Sequence, residues 1–309
     1  MKVAAVVVTY NRKELVKECL QALLAQTRPP DEIILIDNAS SDGTDKMVPQ
    51  EFPQVTYVRL PKNIGGAGGF HEGIKLAYQK GYDWIWVMDD DGVPSRECLS
   101  ALLEVKDDQL RMRAPLVLRK GDKERRLAFG LTFNGRHIRT EAEAYEVASN
   151  AAVLEGVANP FNGLLIDRAV VAKIGLPMKE FFLWGDETEY LLRAARHSVK
   201  FGTVLKAVFF HPENRMTPRR VKIGGLSFSV YHTKDDFRNF LILRNGAYIA
   251  ARYYGIIAIA KHVTKYLLFY STEYGLRGGL WSLRSSWRGL RGNFGPPPPT
   301  PWRRNPDDI

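Results

Sequence analysis

The chain opens on an unbroken β-rich run, Val3 to Thr9, which reads as a strand buried on both faces, as in a parallel sheet. Val16, Leu20, Leu23 and Leu24 then recur at helical spacing, and Pro29-Pro30 sets a stop. Glu32–Asp37 and Val55–Val58 predict two further strands, with the turn cluster Asn38 to Gly43 between them. Phe70–Lys80 predicts a helix. The next strand, from Asp83, is aromatic and apolar through Met88, lies between Gly81 and Gly92, and ends on Asp89-Asp90-Asp91. Strands alternating with helices in this way predict an α/β fold on a parallel sheet with right-handed crossovers. Arg111–Leu118, Phe161–Ile166, Val199–Leu205 and a segment ending at Phe209-Phe210-His211 add strands, and Arg168–Ile174 adds a short helix closed by Gly175. Arg119–Arg126 reads as a charged excursion and Arg136–Glu146 as polar and irregular. From Lys234 the pattern is helical and aromatic, and Pro296–Pro299 with Pro301 predicts a disordered or extended tail.

Ligands of open α/β sheets bind beyond the carboxyl ends of the strands. Tyr10-Asn11, Asp37-Asn38, Asn63 and Asp89 to Asp91 all fall there. Two carboxylates about 4 Å apart repel by roughly 1–4 kcal/mol, which a cation between them relieves. All-oxygen donors suit Mg²⁺ or Mn²⁺, so Asp89-x-Asp91 reads as a metal site on substrate phosphates, or as a solvated acidic turn. Gly65-Gly66-Ala67-Gly68-Gly69 reads as a glycine loop that lets backbone amides approach a phosphate at a helix N-terminus; a flexible turn is the plainer alternative. It completes neither a dinucleotide fingerprint nor a Walker motif. Further on, Trp184-Gly185-Asp186-Glu187-Thr188-Glu189 places acids at a helix start. Capping explains acids there, and Glu189 with Arg193 can be a helix staple, but the adjoining Trp184 suits a sugar ring. His211 follows two aromatics, a setting that is often structural.

With 309 residues, 45% hydrophobic and 25% charged, the composition is that of a globular protein of one large or two small domains. No apolar run reaches the roughly 18 residues of a membrane span, and Val3–Val8 is too short for a signal-peptide core. Cys19 and Cys98 fit a reducing compartment and inert packing. The net charge of +10 is concentrated: Arg244 to Arg304 holds ten Lys/Arg and one acid, Glu273. Basic and aromatic together, with Lys261, His262 and Lys265 interrupting the apolar positions, this stretch predicts helices lying on an anionic membrane. A subdomain packed on the catalytic core, or an oligomer interface, is the alternative. No nucleic-acid motif accompanies the charge, so no nucleic-acid partner is expected.

Taken together, Val8-Thr9-Tyr10-Asn11-Arg12, Ile36-Asp37-Asn38-Ala39-Ser40, Asn63 to Phe70, Asp89-Asp90-Asp91 and Trp184 to Glu189 resemble the inverting family 2 glycosyltransferases of GT-A fold. The resemblance covers roughly residues 1–250. Within the family the chain is similar to bacterial galactofuranosyl- and rhamnosyltransferases that extend lipid-linked glycans. The Gly65-to-Phe70 stretch, Phe161-Asn162-Gly163 and Arg244-Asn245 carry that likeness, which is strongest to actinobacterial enzymes that begin a galactan on a polyprenyl-diphosphate carrier. The resemblance implies a catalytic domain over 1–233, with a nucleotide half to about residue 92 and an acceptor half beyond it. A helical basic extension over 234–293 and a Pro-rich tail over 294–309 would follow.

It further implies that Thr9, Tyr10, Asp37 and Asn38 hold the nucleoside of a UDP- or dTDP-sugar, with Asn11, Arg12 and Asp90 also on the donor. Asn63, Gly65, Gly66, Gly68 and Gly69 would shape the donor pocket, Asp89, Asp91 and His211 would bind Mn²⁺ or Mg²⁺, and Trp184 and Glu189 would meet the acceptor. The base falls in Asp186-Glu187, with Glu187 chosen by position. The acceptor implied is a polyprenyl-diphosphate-linked glycan, met by a cytoplasmic enzyme peripheral to the inner face of the plasma membrane. A nucleotidyltransferase would need glycines and a basic residue in Val6 to Arg12, where there is no glycine, and a dehydrogenase lacks its fingerprint. An inactive scaffold should have lost acids that are all present here.

Overall fold

The computed structural model describes residues 1–213, 218–223, 225–300 and 302. The chain divides into two compact units, Met1–Lys179 with Tyr190–Asn214, and Glu180–Glu189 with Arg215–Ile309.

In the first unit, β1 (Val3–Thr9) is buried along its whole length. It pairs in parallel with β2 (Glu32–Asp37), which pairs in parallel with β3 (Thr56–Arg59); on its other side β1 pairs in parallel with β4 (Trp84–Asp89). The register sets Thr9 beside Asp37 and Val8 beside Asp89, so the carboxyl ends of three strands lie in one row. The sheet continues through short β5 (Val93–Pro94), β6 (Leu110–Arg119), β7 (Arg126–Phe133), β8 (Arg136–Thr140), β9 (Val153–Glu155), β10 (Asn162–Asp167) and β11 (Lys200–His211). Its main order is β3-β2-β1-β4-β10-β6-β11-β5. β10 runs antiparallel to β4 and β6, so the sheet is mixed, with a parallel half that carries the first four strands. β11 is one strand where two were expected. Its register against β6 shifts between Val204 and Val208, and that irregularity is what splits the hydrophobic pattern.

Helices cover both faces of the sheet. On α1 (Lys13–Leu24), Val16, Cys19, Leu20 and Leu23 form the buried stripe. A helix absent from the expected pattern, α2 (Thr44–Glu51), contains Pro49 and follows Gly43 in left-handed conformation. The glycine stretch is not a loop. It forms the first turns of α3 (Gly65–Gln79), because a Cβ on Gly69 would sit 2.4 Å from Val8 Cγ1 and one on Gly73 2.3 Å from Val6 Cγ1. Small residues here let the helix lie directly on β1. After α4 (Cys98–Leu103), the segment expected to be irregular forms β8 and α5 (Glu141–Ala148). Thr140 accepts from the Glu143 amide and Glu143 accepts from the Arg139 amide, two side-chain bonds that fix the helix start. α6 (Arg168–Ile174) is capped by Asp167. Both cysteines are buried and free.

α7 (Asp186–Arg196) is divided between the units at Glu189/Tyr190. The second unit otherwise contains the hairpin β12 (Arg219–Ile223) and β13 (Leu226–Val230), α8 (Asp236–Ile249), a π-helical turn (Ala250–Tyr254) and α9 (Ile256–Leu290), which kinks at Gly275. A Cβ on Gly289 would fall 1.9 Å from the Arg244 carbonyl oxygen, so α8 and α9 are in backbone contact there. The tail is extended and anchored: Phe294 packs on Phe181 and Tyr248, Trp281 donates to the Pro298 carbonyl, and Trp302 stacks on Tyr274. Among the described residues no helix is long and apolar enough to cross a membrane.

Candidate active site

At the carboxyl ends of β1 and β4 one chain of contacts links five of the expected residues. Thr9 Oγ1 donates to Asp90 Oδ2 (2.6 Å), and Arg12 Nη1 donates to Asp90 Oδ1 (2.9 Å) and Asp91 Oδ2 (3.1 Å). His211 Nε2 lies 3.1 Å from Asp91 Oδ1, and His211 Nδ1 lies 2.7 Å from the Pro212 carbonyl oxygen. β5 pairs with Phe209 and Phe210 of β11, which brings His211 to the acidic turn. Gly92 is required there, because a Cβ would meet the Phe209 ring at 2.2 Å.

The acids are crowded. Burial, then the charges of Asp91 and Asp90, hold the Asp89 carboxyl well above the usual carboxylate range, with His211 and Arg12 opposing. Burial pushes Asp90 up to about 6, against Arg12 and Thr9. Burial works against charging His211, but the hydrogen bond and charge of Asp91 outweigh it and raise the imidazole above its ordinary value. An oxygen atom faces each ring nitrogen of His211, Asp91 Oδ1 at Nε2 and the Pro212 carbonyl at Nδ1.

The donor chemistry fits a hard cation. Asp91 and His211 face each other, the Asp89 carboxyl beside them resists ionising until a cation offsets its burial, and a His Nδ1–H bonded to a carbonyl leaves Nε2 oriented as a metal ligand. Among the described residues, however, no three acid, histidine or cysteine side chains gather into a metal-holding group.

The other donor-side residues are divided between wall and surface. Thr9, Asp37, Asn38 and Asp90 are fully buried. Asp37 accepts from the Ser40 amide and the Tyr57 hydroxyl. The Asn38 side chain donates to the Gly65 carbonyl and accepts from the Ile64 amide, and Asn63 accepts from the Gly65 amide, so both asparagines fix the start of α3. Asn11 has φ +52°, donates its own amide to Ser40 and accepts the Ser41 amide on its side chain. Tyr10 is exposed at the strand end. Gly65, Gly68 and Gly69 are buried in α3, and Gly66 is half-buried in its first turn.

Two asparagines given no role by the sequence have an unpartnered polar atom. Asn162, paired with Met88 just before the acidic turn, follows Phe161 at φ +54° and precedes Gly163 at φ +82°. Its Oδ1 and the Nδ2 of Asn159 are buried without a hydrogen-bond partner among the described residues. An unmatched acceptor and donor of this kind suit ligand hydroxyls. A short asparagine in the Phe161-Asn162-Gly163 run was the available signal.

The Trp184–Glu189 residues lie in the second unit. Phe182, Trp184 and Gly185 all have φ between +63° and +89°. This strained turn is held from α8. Asn245 Nδ2 faces the carbonyls of Phe181 (3.1 Å), Leu183 (3.0 Å) and Trp184 (2.8 Å), and Arg244 Nη2 donates to Glu180 and Phe181 at 2.9 Å. Arg244 Nε in turn donates to Asn245 Oδ1. Burial, then Arg288, lowers the Arg244 guanidinium to about 10. Asp186 and Glu189 are buried, and Tyr253 donates to Glu189 (2.6 Å). Glu187 is half-buried and accepts the Gly185 amide at 3.1 Å.

Residues 4–156 match the family model described as Glycosyl transferase family 2. Galactofuranosyltransferase GlfT1 of Mycolicibacterium smegmatis is 35% identical over 81% of this chain and 83% of its own length. The protein of that name from Mycobacterium tuberculosis is 32% identical over 96% of this chain and 97% of its own length. In structure, S. aureus TarS 1-349 in complex with UDP-GlcNAc superposes with TM-score 0.57 at 15% identity, over 94% of this chain and 82% of that one. GalNAc-T7 with UDP, GalNAc and Mn2+ gives 0.56 at 13% identity, over 89% of this chain and 51% of that one. The fold is GT-A, as the sequence resemblance implied.

Proposed function

Because the chain belongs to glycosyl transferase family 2 and is a glycosyltransferase, we propose that it transfers galactofuranose, with inversion, from UDP-galactofuranose to a hydroxyl of a lipid-linked glycan. The observation that carries the donor assignment is the likeness to two galactofuranosyltransferases over most of each chain. Neighbours solved with UDP, UDP-GlcNAc and Mn2+ are consistent with a UDP donor and a divalent ion.

Asp91 and His211 would hold the ion, and Asp89 beside them would ionise when the ion is bound. When bound, it supplies neutralisation of the charge that develops on the departing diphosphate. Arg12, fixed on Asp90 and Asp91, orients those carboxylates. Tyr10 offers an exposed ring to the base, and half-buried Gly66 in the first turn of α3 offers its amide to an anion. Glu187 takes the proton from the acceptor hydroxyl as that oxygen attacks the anomeric carbon. Its partial exposure favours it over buried Asp186. Trp184 meets the acceptor; Glu189 is buried on the Tyr253 hydroxyl and does not reach it. The basic, aromatic helices α8 and α9 rest on an anionic membrane surface, where each basic residue contributes on the order of 1 kcal/mol.

The test is binding of UDP and dTDP with and without Mn²⁺. Metal-dependent preference for UDP supports the reading. Preference for dTDP would move the donor to a rhamnosyl nucleotide, and binding of neither would overturn the donor assignment. In the same assay Asp91→Asn weakens metal-dependent UDP binding; unchanged affinity would remove Asp91 from the metal site.

A further inference from the structure

The carboxylate at the end of β2 is closed to a ligand. Asp37 is 0% exposed, its Oδ1 accepts the Ser40 amide at 2.9 Å, and its Oδ2 accepts the Tyr57 hydroxyl at 2.5 Å. The register sets Arg59, the last residue of β3, beside Asp37, as it sets Asp37 beside Thr9. Arg59 Nε lies 3.9 Å from Asp37 Oδ2, and Arg59 Nη2 donates to the Ser40 carbonyl at 2.8 Å. These two anchors fix the guanidinium plane, yet 47% of the side chain is exposed. Among the described residues its Nη1 has no hydrogen-bond partner. Ser40 is also gripped from the end of β1, where the Asn11 amide donates to its hydroxyl at 2.9 Å. One buried residue thus links Arg59 to the Tyr10-Asn11 turn, on which Tyr10 is exposed.

An exposed ring on which a planar base can stack, near a fixed cation whose N–H groups only donate, is matched by a base with a carbonyl on its edge. We propose that Arg59, and not Asp37, reads the base of the donor nucleotide, its guanidinium donating to the 4-carbonyl of uracil. Asp37 acts through Arg59, holding the guanidinium by charge while Ser40 and Tyr57 occupy its oxygens. Cytosine carries an amino group where uracil carries that carbonyl, so donor would face donor and the arrangement rejects it. This rests on the reading of a UDP-linked donor, and it adds the residue that selects the base.

The experiment titrates the full chain with UDP and with CDP, both with Mn²⁺, by calorimetry. The wild-type chain should bind UDP at least about tenfold tighter than CDP. Arg59→Gln, whose amide can turn either a donor or an acceptor to the base, should weaken UDP about tenfold, the loss of one charge-assisted bond, and leave CDP within about threefold. A thermal melt reports whether the variant is folded. If it is not, Arg59→Lys carries the test: it keeps the charge beside Asp37, loses the planar guanidinium, and should weaken UDP at least about threefold more than CDP. An equal loss for UDP and CDP would reduce Arg59 to a charge near the diphosphate and overturn the proposal, as would an unchanged preference. Thymine carries the same 4-carbonyl. Tighter binding of dTDP by the wild-type chain, with the same selective loss in the variant, would uphold Arg59 and sink only the uridine reading. Binding of neither nucleotide by the wild-type chain overturns both.

Discussion

Asn245 holds the turn that carries the proposed acceptor and base residues, and replacing it tests whether that turn must be held. Its amide faces three carbonyls, of Phe181, Leu183 and Trp184, while Asn245 itself is 2% exposed. Each such bond has a net worth of about 0.5–1.5 kcal/mol, and a buried acceptor left unmatched costs about 1–3 kcal/mol. The turn also stores strain at Phe182 and Trp184, on the order of 1–3 kcal/mol each. Asn245→Ala therefore removes roughly 2–4 kcal/mol from the held conformation. If half of that is lost from the transition state, kcat falls about 5- to 30-fold. Asn245→Asp keeps the shape but replaces the donor with a carboxylate facing three carbonyl oxygens, so it should be worse than alanine. The assay is steady-state transfer with each variant, alongside UDP affinity and a thermal melt. UDP affinity should stay within about twofold, since Asn245 bonds to Phe181, Leu183, Trp184 and Arg244 and, among the described residues, to none of the proposed donor residues. Asn245→Asp with wild-type kcat, or a loss of activity that tracks only the fraction unfolded, would refute the reasoning.

Further outcomes follow from single contacts. Glu187→Gln should retain UDP binding and lose about 10²–10⁴-fold in transfer; intact transfer would pass the role of base to Asp186. Gly69→Ala forces a Cβ against Val8 on a buried strand and should cost about 1–3 kcal/mol in a denaturant melt; an unchanged midpoint would show that α3 shifts freely. His262, whose Nε2 faces the Leu243 carbonyl, is pushed down to about 4, first by burial. Its neutral form is the folded one, so its contribution, on the order of 3 kcal/mol, is present above pH 6.5 and is lost as pH falls toward 4. His262→Gln should flatten the pH dependence of the melting temperature over that interval.

The parallel half of the fold was legible because β1, β2 and β4 are continuous apolar runs that end on polar residues, and their register then brings those ends together. Asp89-Asp90-Asp91 stands out for the same reason: charge at the end of a buried strand is conspicuous. The start of α3 was misread because glycines suit both a loop and close helix–strand contact, and only the neighbour, Val8, shows the contact. α2 was hidden by Pro49, and α5 by a polar sequence whose Thr140-x-x-Glu143 cap was the missed signal. The Asn245 contacts span more than 60 residues of sequence, from α8 back to Phe181, and no local pattern encodes them.

The most direct test of the account is the product of the purified chain with UDP-galactofuranose, Mn²⁺ and a prenyl-diphosphate-linked glycan acceptor, its anomeric configuration read by NMR. The account predicts a galactofuranosyl product with configuration inverted relative to the donor, and no transfer by Glu187→Gln. A product of retained configuration, or transfer from dTDP-rhamnose and none from UDP-galactofuranose, would contradict it.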